Sequence, residues 1–195
     1  MKTAIQIGTN KSGDEFFDIC KEESFDLILL IEPAKRFNDI IHEIYKGFNH
    51  KIFNIAITSK DIKVAKLYNL HESGEMDSLS KRKTHPIRET TNDLEYTEVP
   101  CMTFNSFCEK HQIKNVELLQ IDIEGLDDEV LLSIDMEKVS IKRIIWENWD
   151  HDDDDENGIY RTGSVIQKEV RSKLESKGFT VSDISTRDFC AVKDI

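Results

Sequence analysis

The stretch Thr3-Ala4-Ile5-Gln6-Ile7-Gly8-Thr9-Asn10-Lys11-Ser12-Gly13 decides how the chain is read. A strand-like apolar run ends at a glycine turn, and a short helical segment follows over 14–22, with Phe16, Phe17 and Cys20 on one side. A strand that turns through glycines into a helix is the first half of a β-α-β crossover. Working outward, residues 25–32 form a near-continuous apolar run, the pattern of a strand covered on both faces. Phe37, Ile40, Ile41, Ile44 and Phe48 then recur at helical spacing, and the helix should stop near Gly47. Residues 51–58 read as a third strand and 63–69 as a fourth extended piece.

Residues 71–98 break this rhythm. They are polar and poor in large apolar side chains, which predicts a long loop or lid within one domain over 1–195. Beyond it, Thr103 can cap a helix with Phe104, Phe107, Cys108 and His111 on its apolar face. Residues 116–123 are a buried strand, 126–134 a helix and 141–146 a strand. Residues 163–177 carry Ile166, Val170 and Leu174 at helical spacing, and 179–184 with 188–192 form a closing antiparallel hairpin. The β-α-β-α-β order predicts an α/β fold: a doubly wound, mostly parallel sheet with helices on both faces and that hairpin at the C-terminal end.

Composition narrows the function. The chain has 195 residues, 38% hydrophobic and 33% charged, with a formal net charge of −12. So acidic a surface repels phosphate backbones and anionic lipid, which argues against nucleic acid or membrane as the main partner. The only concentrated basic stretch is Lys81-Arg82-Lys83, with Arg88 nearby. Cys20, Cys101, Cys108 and Cys190 form no C-x-x-C pair, so they read as reduced thiols rather than zinc ligands or a disulfide frame. Residues 1–7 carry no signal-peptide pattern, and the expected location is cytoplasmic.

In an open parallel sheet the ligand lies beyond the carboxyl ends of the strands. Those ends hold the candidate site. Gly8-Thr9-Asn10-Lys11-Ser12-Gly13 lets the backbone approach a ligand closely, but Asp14-Glu15 follows where a phosphate loop would carry Lys and Ser/Thr. Glu32 ends the second strand, about where dinucleotide folds place an acid for ribose hydroxyls. Leu118-Leu119-Gln120-Ile121-Asp122-Ile123-Glu124-Gly125 places two acids at i and i+2, on one face if the strand continues. Asp122 and Glu124 could orient a ligand ammonium, bind a divalent metal or take a proton from a hydroxyl, and Glu124 could instead cap the next helix. Trp146-Glu147-Asn148-Trp149 could add a cleft-facing acid and aromatic walls. Residues 150–156 hold six acids in seven but lack the spacing of a calcium loop, so a solvated loop is expected. His71 and His85 border the lid as candidate bases, and His111 reads as structural.

The ordered segments Gln6-Ile7-Gly8-Thr9-Asn10-Lys11-Ser12-Gly13, Ile31-Glu32-Pro33, Asn54-Ile55-Ala56-Ile57, Val99-Pro100-Cys101-Met102-Thr103-Phe104 and Leu118-Leu119-Gln120-Ile121-Asp122-Ile123-Glu124-Gly125, with Glu129-Val130-Leu131 after the last, resemble the FkbM family of S-adenosylmethionine-dependent methyltransferases over residues 4–148. The resemblance implies a class I methyltransferase-like, Rossmann-like fold and S-adenosyl-L-methionine as cofactor. It implies that Gly8, Asn10 and Gly13 surround the methionine part, Glu32 the ribose, and Asn54, Ala56 and Ile57 the adenine edge. Asp122 and Glu124 would stand beside the methyl group or acceptor. Gln6 stands where the family usually has Asp, Gln120 where Lys is usual, and Asp127-Asp128 interrupt the usual Gly-Ala-Glu run. The expected reaction is O-methylation of a hydroxyl on a sugar or sugar-bearing small molecule. A homo-oligomer is compatible with this, and a divalent metal is allowed by the acids but called for by no ligand motif. The alternative is a non-catalytic module with the same fold that binds a nucleoside or a protein. A nicotinamide enzyme is disfavoured because G-x-G-x-x-G is absent.

Overall fold

The computed structural model describes residues 1–11, 13–68, 77–79, 95–147, 164–185 and 188–193. In chain order the elements are β1 (Thr3–Ile7), α1 (Glu15–Glu22), β2 (Leu27–Ile31), a 3₁₀ turn (Lys35–Phe37) leading into α2 (Asn38–Ile44), β3 (His50–Phe53), β4 (Ala56–Ile57), β5 (Val64–Tyr68), β6 (Tyr96–Met102), α3 (Phe104–Lys110), β7 (Asn115–Ile121), α4 (Asp127–Ser133), β8 (Ser140–Glu147), α5 (Ser164–Ser176), β9 (Phe179–Asp183) and β10 (Asp188–Lys193).

Seven strands form the main sheet in the order β3-β2-β1-β7-β8-β10-β9, and β4-β6-β5 form a smaller one. β1 lies parallel between β2 and β7, and β8 runs parallel to β7. β10 is antiparallel to both β8 and β9. This is the doubly wound, mostly parallel sheet with a C-terminal antiparallel hairpin that the alternation predicts.

Strand residues alternate between two cores, as period 2 requires. Ile5, Ile7, Leu29, Ile31, Leu119, Ile121, Ile144 and Trp146 face Phe104 and Phe107 of α3, Val130 and Leu131 of α4, and Val170 and Leu174 of α5. Ala4, Ile28, Leu30, Leu118 and Ile145 face Phe16 and Cys20 of α1 and Ile41 of α2. Fully burying one such large side chain contributes about 1.5–3 kcal/mol, so both faces hold the sheet together. The helix starts are fixed locally: the Asp14 carboxylate accepts from Phe17 N, and the Thr103 hydroxyl accepts from Ser106 N.

Several elements differ from their predicted forms. The run 51–58 is two strands in two sheets, because the chain leaves the main sheet after Phe53 and pairs Ala56 with Cys101 of β6. The helix expected to run to about Gly47 is a 3₁₀ turn plus the seven residues of α2, and Ile40 is exposed. The predicted lid is in part ordered structure: residues 96–98 belong to β6, which pairs with β5, and Ser78 bridges to Tyr68. The rest of that lid, including His71, His85 and the basic stretch 81–88, lies outside the described residues, as do Asn148, Trp149 and the acidic 150–156. Among the described residues no helix is long and apolar enough to cross a membrane.

Candidate active site

The strand order reverses between β2 and β7, on either side of β1, and a cleft opens there at the carboxyl ends. Gly8 donates its N–H to Ile31 O at 2.9 Å, and Asp122 donates its N–H to Ile7 O at 2.9 Å, tying the ends of β2, β1 and β7 together. Gly8 has φ +85°, and a Cβ built on it would lie 1.7 Å from the Asp122 carbonyl oxygen. Only glycine tolerates both that backbone and that contact.

Glu32 follows β2 directly and is 6% exposed. Its Oε2 accepts from Asn10 N and its Oε1 from Ala34 N, each at 2.7 Å. Burial pushes its carboxyl up to about 7; the two N–H donors act in the opposite direction, and Asp77 adds to the rise. Each carboxylate oxygen keeps a second lone pair, so Glu32 can still accept from a diol. Asn10 takes the left-handed backbone (φ +49°) that Asn adopts more readily than most residues. Asn54 stands behind this rim: its Nδ2 donates to Glu32 O at 2.9 Å and to Asn38 Oδ1 at 2.8 Å.

β7 stops at Ile121, so strand alternation does not place Glu124, contrary to the reading from i and i+2 spacing. A turn does so instead. Glu124 and Gly125 both have positive φ, +56° and +91°. The turn is pinned by Asp127 at the start of α4, whose Oδ1 accepts from Ile123 N and Oδ2 from Gly125 N, both at 3.0 Å. Burial lifts the Asp127 carboxyl to about 6 against those bonds. Glu124 therefore does not cap α4, whose N-cap residue Leu126 makes no side-chain hydrogen bond; Asp127 instead fixes the turn that precedes the helix. Burial, with Asp127, Glu124, Asp14 and Asp188 around it, pushes Asp122 up to about 8. Its carboxyl accepts no hydrogen bond among the described residues.

Gly8, Asn10, Glu32, Ala56, Ile57, Asp122 and Glu124 share the wall of the cleft, with Ile31, Leu67 and Leu126 as apolar neighbours. Gly13 and Asn54 are not part of that wall: Gly13, at φ +90°, has open space around it, and Asn54 acts from behind Glu32. The sequence reading did not single out Asp77, Ser78 and Leu79, which also line the cleft. Asp77 pairs with Arg36, and the Ser78 hydroxyl donates to Glu124 O at 3.2 Å. With this segment in place the cavity volume is about 80 Å³. Polarity inside an otherwise foreseeable lid gave no cue to its position.

Glu147 also joins the rim. One carboxylate oxygen from each of Asp122, Glu124 and Glu147 lies within 4.8 Å of the others, an all-oxygen set of the kind hard divalent cations take. Trp146 is a core residue packed 5.2 Å from Phe189, not a cleft wall. His111 is exposed, and its ring lies tilted 4.7 Å from those of Phe53 and Phe107. Gln6 is fully buried, donates to the Asp14 carboxylate, and sits beside Gln120 in register.

A search of curated proteins finds no sequence match. Among solved structures the chain is similar to a Methanococcus jannaschii fibrillarin pre-rRNA processing protein, at 12% identity and TM-score 0.49, over 98% of this chain and 66% of that one. It is also similar to a putative hemolysin from Streptococcus thermophilus, at 14% identity and TM-score 0.42, over 98% and 59%. The chain therefore spans less than two thirds of the length of either. The family model described as the methyltransferase FkbM domain matches residues 6–181, which take in Gly8, Glu32 and the Asp122 turn alike. On that match the chain belongs to the FkbM methyltransferase domain family.

Proposed function

We propose that the chain is an S-adenosylmethionine-dependent O-methyltransferase whose acceptor is a hydroxyl on a sugar or sugar-bearing small molecule. The observation that carries this reading is the convergence of Gly8, Glu32 and Asp122 on one cleft in a member of the FkbM family. The donor set suits the cofactor: Glu32 retains lone pairs for ribose hydroxyls, Ala56 and Ile57 offer an apolar edge, and the acids near Asp122 suit a cationic group. When bound, the cofactor supplies an activated methyl group on a sulfonium. The protein's part is to hold the acceptor oxygen in line and to take its proton. Asp122 is the proposed base, and Glu124 holds the acceptor or supports Asp122. A buried carboxyl raised toward the working pH is a stronger proton acceptor once ionised. A divalent cation on Asp122, Glu124 and Glu147 is compatible with this role but is not required by it. The same reading places the protein in the cytoplasm, acting on a small-molecule or carbohydrate acceptor.

Small-molecule sites measure several hundred Å³, more than the cleft that Asp77–Leu79 helps to line. That filled cleft is what favours the second reading, a non-catalytic module. Calorimetric titration separates the two. S-adenosylmethionine and its demethylated product should both bind, and NAD should not. Absence of binding by either methionine-derived ligand rejects the enzyme reading.

A further inference from the structure

At the amino ends of β1, β2, β3 and β7, opposite the cleft, lies a second cavity of about 350 Å³. That is within the range of small-molecule sites. Leu27 and Leu29 of β2, Phe53 of β3 and Ile113 line it with apolar surface, and Lys51, Lys114 and His111 also line it. Lys110 is one residue from His111. On a chain of net charge −12, Lys51, Lys110 and Lys114 form no ion pair among the described residues. Burial first, and then Lys110 and Lys51, hold the His111 imidazole below its ordinary value.

Two local features could absorb that charge, and neither does. The last carbonyls of α3 are already used: Phe107 O, Cys108 O and Glu109 O accept from His111 N, Ile113 N and Gln112 N. The neighbouring Asp26 carboxylate accepts from Lys2 N. Lys51 and Lys114 are exposed at the cavity mouth and make no ion pair among the described residues. His111, tilted against Phe53 with ring centres 4.7 Å apart, adds aromatic surface to the cavity.

We propose that this cavity binds a small molecule that joins a ring-sized apolar body to one anionic group, the ring against Leu27, Leu29 and Phe53 and the anion between Lys51 and Lys114. The anion could be a carboxylate or a phosphate, since two ammonium groups serve either. This site is independent of the methyl-transfer reading.

The test is an NMR titration of the full chain with phenylacetate, phenyl phosphate, phenylacetamide and acetate. Phenylacetate or phenyl phosphate should perturb the amides of 27–29, 51–53 and 111–115 and bind at least tenfold more tightly than phenylacetamide or acetate. The stronger of the two anions names the source. The double variant Lys51→Gln, Lys114→Gln should lose at least tenfold for the aromatic anion and keep its phenylacetamide affinity. Equal affinity for phenylacetate and phenylacetamide overturns the proposal, and so do shifts confined to the Gly8, Glu32 and Asp122 cleft. Should the variant fold poorly, the comparison of charged with neutral probes on the native chain still decides.

Discussion

Glu32 and Asp122 close the strands on either side of β1, and burial holds both protonated above the ordinary carboxylate range. Their surroundings differ. Glu32 has a backbone N–H on each oxygen, from Asn10 and Ala34. Asp122 has no such donor and faces Asp127, Glu124, Asp14 and Asp188. A carboxylate saturated by fixed donors is a holder, because its geometry is set and its charge is compensated. A carboxylate crowded by other acids is reactive, because removing its proton is costly and regaining one is favourable. The two halves of the rim are thus built from the same residue class and given different surroundings by their neighbours, which on the proposed function suits one to holding and the other to proton transfer.

The contrast can be broken at its hinge. Gly8→Ala puts a methyl group into the Asp122 carbonyl and forces a left-handed backbone, so it should cost more than about 3 kcal/mol and separate the two halves. A chemical-denaturation midpoint within error of the native chain would show that the contact is not limiting.

Next in size are the two isosteric amides, which should act oppositely. Asp122→Asn should lower turnover by about 10²–10⁴-fold and raise stability at pH 8 by a few kcal/mol, since each unit of pKa shift is worth about 1.4 kcal/mol. Glu32→Gln should weaken cofactor binding about tenfold or more and lose about 1–3 kcal/mol of stability, because its NH₂ group meets a backbone donor. Denaturant melts and isothermal titration of both variants read these signs. Stability changes of the same sign would remove the distinction.

The same two shifts also set a pH slope. In the unfolded chain these carboxyls release their protons near 3.8 and 4.5, whereas in the folded chain they keep them to about 8 and about 7. Between those limits the folded state binds more protons, so stability falls as pH rises. The melting temperature should be higher at pH 5 than at pH 8, and Asp122→Asn should flatten the slope. A melting temperature that climbs over this interval would contradict the burial of these acids.

Much of this was legible in the residues themselves. The unbroken apolar run at 27–31 and the mostly apolar run at 116–121 read as strands covered on both faces, and the helical spacing of Ile166, Val170 and Leu174 reads as one buried stripe. Gly8 and Glu32 stood out because turns and strand ends have local chemistry. The turn after Ile121 was not legible: alternation predicts Glu124 on the strand face, while two left-handed residues and a carboxylate from α4 put it there by another route. Nor could the split of 51–58 between two sheets be read, since both pieces are apolar and extended.

By itself the sequence determined periodicity, turn chemistry and the order of the elements, all of which depend on neighbours within a few positions. Tertiary structure alone decided that Asp77–Leu79 lies in the cleft, that Asn54 works from behind Glu32, and that four acids surround Asp122. Burial and electrostatic potential are sums over residues distant in the chain, and no local pattern records them.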